Sequence, residues 1–218
     1  MTGMMLVFML IAIIFMVRVQ QVATDLKDTK GKIYQALDKS FSKDLKKWDA
    51  ELLPNLTIRF KNPETLFASG KYGLQPKFQL ILEEFIPKYF EILNSSEFRS
   101  SIKEIAIEGH TDPSFSGSDD SDCDRMKVRK ELKIICENIG LSQDRAQSVY
   151  IKTLEVMQDS PALDDFVKKV HPHDVGSSEP IYNDKGDVDF EKSRRVEFKV
   201  FTNAEERLEE IANKISPK

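Results

Sequence analysis

The sequence predicts an α/β protein: a two-layer sandwich in which a small mixed sheet carries helices on one face, preceded by an N-terminal transmembrane helix and a helical stalk. Three observations predict it. The first seventeen residues, "MTGMMLVFMLIAIIFMV", carry no charge. Residues 20 to about 50 are polar with a narrow apolar stripe. Beyond Pro54, short alternating patterns take turns with helical periodicities, the signature of helices laid on a sheet.

At 1.5 Å per residue, the opening segment is about the shortest helix that crosses a bilayer core. It lacks the basic leader and small-residue cleavage site of a signal peptide. A soluble core helix rarely goes four turns without a polar residue. Five of the seven methionines fall in residues 1–16, which marks a separate segment. The nearest basic residues, Arg18, Lys27, Lys30 and Lys32, all follow it. By the positive-inside rule alone they put the body in the cytoplasm, and the reverse orientation calls for a basic stretch before Met1.

In the next segment Val22, Leu26, Ile33, Leu37, Phe41, Leu45 and Trp48 recur mostly at three, four or seven. Such a narrow stripe fits a solvated stalk or a helix that pairs with its own copy in a dimer. Pro54 and Asn55 end it. "LTIRF" at 56–60 alternates as a strand and opens the globular part. From Gln75 to Leu93, the residues Leu82, Phe85, Ile86, Tyr89 and Leu93 share a helical face. Pro87 either kinks that helix or divides it in two.

"IKEIAIEG" at 102–109 is the second strand. An acidic, turn-rich stretch then leads to a helix over 125–137. A further helix starts at Ser142 as N-cap, with Ala146, Val149, Tyr150, Thr153, Leu154 and Met157 on one face. "HPHDVG" reads as a loop, and His171 and His173 alone are too few ligands for a metal. "RRVEFKVF" is the last strand, and 203–215 a charged helix.

A net charge of −4 and a pI of about 5.6 argue against a nucleic-acid binder, which would usually show a basic face. No nucleophile–base pair, phosphate loop or zinc pattern occurs, so the sequence indicates no enzyme and calls for no cofactor. Cys123 and Cys136 have twelve residues between them. They form a disulfide in an oxidising compartment and free thiols in a reducing one.

"IEGHTD", "NIGLSQDRAQSV" and "SRRVEFKV" together resemble the three signature blocks of the OmpA-like peptidoglycan-binding domain, over roughly residues 55–202. The resemblance implies an OmpA-like sandwich that binds the diaminopimelate residue of cell-wall stem peptides. Asp112 would then accept from the ligand's ammonium. Arg145, in the first turn after Ser142, would fork onto its carboxylate, aided by free N–H groups at that helix end. It also implies that Thr111 and Asn138 line the pocket and that Arg194 or Arg195 fixes its floor. Two departures stand out: 26 positions separate Asp112 from Asn138, where the family has a short loop, and Ser193 replaces the usual Asn or Asp.

A span, a stalk and such a domain, in that order, resemble the MotB-like B subunits of ion-driven stators, and "MTGMM" is similar to the head of their span. The resemblance implies that the family's proton-carrying aspartate stands just upstream of Met1, since residues 1–17 hold no titratable side chain. It further implies a homodimer, a multi-span MotA-like A subunit as partner, and an inner-membrane location with the C-terminal domain periplasmic. B subunits of similar layout serve antiphage Zorya systems, and the long insertion favours that non-flagellar type. The alternative is a membrane-tethered structural peptidoglycan-binding protein without ion transport. The expected organisation is a span over 1–18, a stalk over 19–53, the domain over 54–202 with an insertion at about 113–137, and a tail over 203–218.

Overall fold

The computed structural model describes residues 2–114, 123 and 129–203. The proposed tail helix, most of the acidic stretch and the start of the helix expected over 125–137 lie outside the described residues. The chain begins with α1 (Thr2–Lys47), one unbroken helix. Within it Met4–Gln21 is long and apolar enough to cross a membrane and buries nothing against the rest of the protein.

The body is a five-stranded mixed sheet in the order β1 (Ala50–Leu52), β2 (Thr57–Phe60), β5 (Arg195–Thr202), β3 (Ile102–His110), β4 (Val170–Gly176). All neighbours are antiparallel except β3 and β4. Between β3 and β4 the chain crosses through α4 (Lys130–Met157) and α5 (Leu163–Lys169), as a parallel pair requires. α3 (Pro76–Leu93) and α4 supply the helical layer, and two single-turn helices, α2 (Pro63–Leu66) and α6 (Phe190–Ser193), stand in the loops. All five residues expected on the inner face of α3 are buried. Pro87 is accommodated within that single helix on its exposed side, so the helix is not divided.

Between the layers lies an aromatic core. Phe85 stacks on Tyr89 at 4.7 Å and meets Phe60, Phe198 and Phe41 edge-on or tilted at 5.1–5.4 Å. The outer sheet face is charged instead. Glu197 accepts from Arg59 (2.7 Å) and Arg195 (2.5 Å), Arg59 also reaches Glu51 (3.2 Å), and Lys199 reaches Glu108 (3.3 Å).

Four expectations are corrected. Ile33, Leu37, Phe41, Leu45 and Trp48 are not a stalk stripe: they are buried in the core beside α3 and β1, because the apolar face of α1 meets the domain itself. "HPHDVG" is not a loop but edge strand β4, where Pro172 is tolerated because an edge leaves half of the backbone groups unpaired. Ser142 is not an N-cap. It lies in the middle of α4, where its Oγ donates to the Ile139 carbonyl (3.1 Å) and accepts from Gly176 N–H (2.9 Å), so tertiary contact carries the helix through the Gly140 break signal. The last residues of the expected insertion, 130–137, are therefore the first turns of α4.

Candidate functional site

The site is built where β3 ends. Thr111 N–H donates to the Gly176 carbonyl (2.9 Å), which fixes the chain leaving β3 against the end of β4. Asp112 follows in an Asx-type turn: its Oδ1 accepts from the backbone N–H of Ser114 (2.8 Å) and from the Ser114 hydroxyl. Its Oδ2 accepts from Arg194 Nη1 at 3.0 Å. Arg194 is delivered by the single turn α6, whose N-cap Asp189 accepts from Lys192 N–H (3.0 Å). Buried Ser193 accepts from Ile181 N–H through its hydroxyl (2.9 Å), which pins the preceding loop.

Arg145 reaches the same place from the middle of α4. Its Nε donates to the Lys71 carbonyl (3.0 Å) and its guanidinium lies 4.9 Å from the centre of the Phe67 ring. Among the described residues its terminal nitrogens take no partner, which leaves a fork aimed at the cleft. Thr111, Asp112, Ser114, Arg145 and Arg194, with Ser69 and Gly70 opposite, line a cleft of about 360 Å³. An adjoining cleft of about 220 Å³ shares Arg145 and Arg194 and adds Arg195.

The electrostatics are those of an amphoteric site. Burial pushes the Asp112 carboxyl up, but its bonds from Ser114 and Arg194 outweigh that, and the group sits below the ordinary carboxylate range. Burial first, and the Arg194 charge second, lower the Arg145 guanidinium to about 10 against the opposing pull of Asp112. Asp112 is thus ionised and Arg145 protonated at neutral pH. Among the described residues, the cleft of about 360 Å³ is lined by two cations, Arg145 and Arg194, and one carboxylate, Asp112.

Of the expected site residues, the fold brings Thr111, Asp112, Arg145 and Arg194 together. Asn138 does not line the cleft; it is enclosed, and its Nδ2 donates to the Ile134 carbonyl (2.9 Å). Arg195 is buried and committed to Glu197, Glu179 O and Ser193 O, so it supports the floor from behind. The free helix N-terminus expected beside Arg145 does not exist, since α4 begins fifteen residues earlier at Lys130. The wall formed by 67–71 is unforeseen: nothing in "LFASGK" announces a contact with a helix 74 residues on. Cys123 and Cys136 are joined by a disulfide, with Cα atoms 5.8 Å apart.

No family model matches the chain. The Zorya protein ZorB of Escherichia coli is 35% identical over 219 residues, covering 97% of this chain and 88% of that protein. Among solved structures, a putative MotB-like protein from Desulfovibrio vulgaris superposes with a TM-score of 0.54 at 20% identity, covering 82% of this chain and 98% of its own. The second likeness is one of fold, whereas the first runs from end to end of the chain at an identity that unrelated sequences do not reach, and the chain therefore belongs to the ZorB family of Zorya proteins.

Proposed function

We propose that this chain is the wall-anchoring B subunit of an inner-membrane, proton-driven motor, of the antiphage rather than the flagellar type. The observation that carries the reading is the convergence of Asp112, Arg145 and Arg194 on one cleft of a domain that α1 joins without a break to an apolar segment. A zwitterionic amino acid such as diaminopimelate offers the matching pair of charges. Its carboxylate meets the open fork of Arg145, and its ammonium meets Asp112, whose Oδ2 it shares with Arg194. The ZorB relative supports the antiphage type.

In this reading Met4–Gln21 crosses the inner membrane, the domain is periplasmic, two copies pair, and a multi-span MotA-like subunit surrounds them. Arg18 is the only titratable side chain in Met4–Gln21. The proton-carrying group is accordingly assigned to other residues of the assembly. That same observation favours the second reading, a membrane-tethered structural wall-binding protein.

Sedimentation with purified peptidoglycan tests the anchor. Asp112→Ala and Arg145→Ala are expected to lower the bound fraction at least tenfold, the loss of a charge-assisted contact of about 1.5–3 kcal/mol each. Sedimentation equal to the parent's would remove the anchor. Loss of phage protection in both variants, with the multi-span partner still co-purifying, would favour the motor over the passive tether.

A further inference from the structure

A groove of about 610 Å³ lies at the end of the domain opposite the charged cleft, where α3 and α4 finish and α5 begins. Pro87 and Phe90 of α3, Val156 and Met157 of α4, and Pro161 and Ala162 before α5 give it apolar walls. Asn94 Nδ2 donates to Asp165 Oδ2 (3.3 Å), which holds α5 beside the end of α3. Covering such walls is worth about 25 cal/mol for each Å² of apolar surface taken out of water.

The C-terminal segment leaves the domain beside this groove. Asn203 follows β5; its N–H donates to the Ser101 carbonyl (3.0 Å) and its Nδ2 to the Ser100 carbonyl (2.7 Å). Ser95, on the groove's rim, is a tight turn away, since its carbonyl accepts from the N–H groups of Phe98 (3.1 Å) and Arg99 (2.9 Å). Residues 204–218 read "AEERLEEIANKISPK". Ala204, Leu208, Ile211, Ala212 and Ile215 fall at i, i+4, i+7, i+8 and i+11, one face of a helix. A helix of that length, about 20 Å, is marginal alone in water and needs a surface for its apolar side. The same segment carries Glu205, Glu206, Glu209 and Glu210. Between its root and the groove stand two cations. Lys169 Nζ donates to the Arg99 carbonyl (2.7 Å), and neither side chain forms an ion pair among the described residues. Burial lowers the Lys169 ammonium, and the Arg99 charge adds to that against the pull of Asp165. A further carboxylate would relieve both.

We propose that residues 204–218 form an amphipathic helix that docks in this groove, with Leu208, Ile211 and Ile215 against the ends of α3 and α4 and the glutamates toward Arg99 and Lys169. Three observations carry the choice of occupant: where the chain leaves β5, the apolar face of the segment that follows, and its charge complementarity with the two unpaired cations. The docked segment closes the end of the domain away from Asp112 and Arg145, and so stabilises the fold without touching their cleft. The sequence alone hides the contact, because the receiving surface is assembled from three separate elements.

Hydrogen exchange of the full chain in detergent, read by mass spectrometry, tests the contact. Two variants are compared with the parent: a chain ending at Asn203, and full-length L208D/I211D. Both should exchange about tenfold faster or more across 90–95 and 156–162, the protection that burial of two aliphatic side chains confers. β3 and β5 should exchange as in the parent, which shows that the domain is still folded. Unchanged exchange at 90–95 and 156–162 in both variants would overturn the contact. So would acceleration spread evenly over β3 and β5, because a docked helix protects its own groove first. Protection of the groove that rises with protein concentration would give it to a second copy of the chain, and would overturn the proposal as well.

Discussion

At Gly109 the backbone of β3 passes under α4 so closely that a Cβ would stand 2.3 Å from the Ser142 carbonyl oxygen and 3.2 Å from its carbon. Both are backbone atoms of a buried helix and cannot swing aside. The same approach lets the Ser142 hydroxyl accept from Gly176 N–H, and it sets Arg145, one turn further along, over the end of β3. Gly109→Ala is expected to destabilise the domain by about 1–3 kcal/mol or more, as overpacking does. Urea unfolding measures it, and a change below about 0.5 kcal/mol would mean that the two backbones have room to separate. The residues that meet the cleft divide similarly by their commitments. Asp112 spends both oxygens on Ser114 and Arg194, while Arg145 spends only Nε. The carboxylate end of a ligand thus finds open donors, and the ammonium end must share an acceptor already in use.

The element that departs most from its sequence appearance is α1. Its apolar stripe over 33–48 is as narrow as a coiled-coil seam, yet it packs on α3 and β1 of its own domain. Phe41 is fully buried, 5.4 Å from Phe85 and 6.1 Å from Trp48. The folding unit accordingly starts near Ile33, and β1 belongs to its sheet. Phe41→Ala should cost about 3–5 kcal/mol of domain stability, the range for emptying a buried aromatic site. A solvated stalk would show almost no change, so a thermal or urea midpoint decides between the two. Position 48 closes the helix with two lysines before it, and Asp49 turns the chain into β1 with φ of 53°. α4 shows the converse case: Gly140 and Ser142 suggest two helices, and packing against β3 and β4 makes one.

Across the molecule, three buried carboxylates hold the charged parts of the fold together. Burial raises Glu108 and Glu197 as it raises Asp112, but His110 and Lys199 around Glu108, and Arg195, His110 and Arg59 around Glu197, outweigh it. All three sit below their ordinary values of 4.5, 4.5 and 3.8. Their ionised forms therefore contribute stability that is fully present above those values. On acidification the unfolded chain takes up protons first, and the contribution is lost as pH falls through the lower folded values. The urea midpoint should be level in this respect above about pH 5 and fall steadily below about pH 4.5. A midpoint unchanged down to pH 3 would show that these ion pairs contribute nothing. At the largest scale, α1 extends roughly 70 Å at 1.5 Å per residue, with its far end buried in the domain that bears the cleft. The apolar segment is thereby joined to the domain that bears the cleft through a continuous hydrogen-bonded rod.

Local pattern alone determined much of the strand–helix alternation, the inner face of α3 and the apolar helix, because each follows from composition or from a spacing that burial on one side imposes on the chain; the three motif blocks were legible only through their resemblance to a known family. Local pattern was silent wherever the deciding partner lay far off in sequence. The stripe of α1 did not say which surface covers it, "HPHDVG" became a strand only because β3 offered an edge, and Ser142 sits mid-helix because Gly176 meets it from 34 residues away. The pairing of Asp112 with Arg194 and the Phe67–Lys71 wall behind Arg145 are likewise products of the tertiary structure. Residue types and their spacing specify which surfaces must be buried; only the closed fold selects which charges end up facing one another.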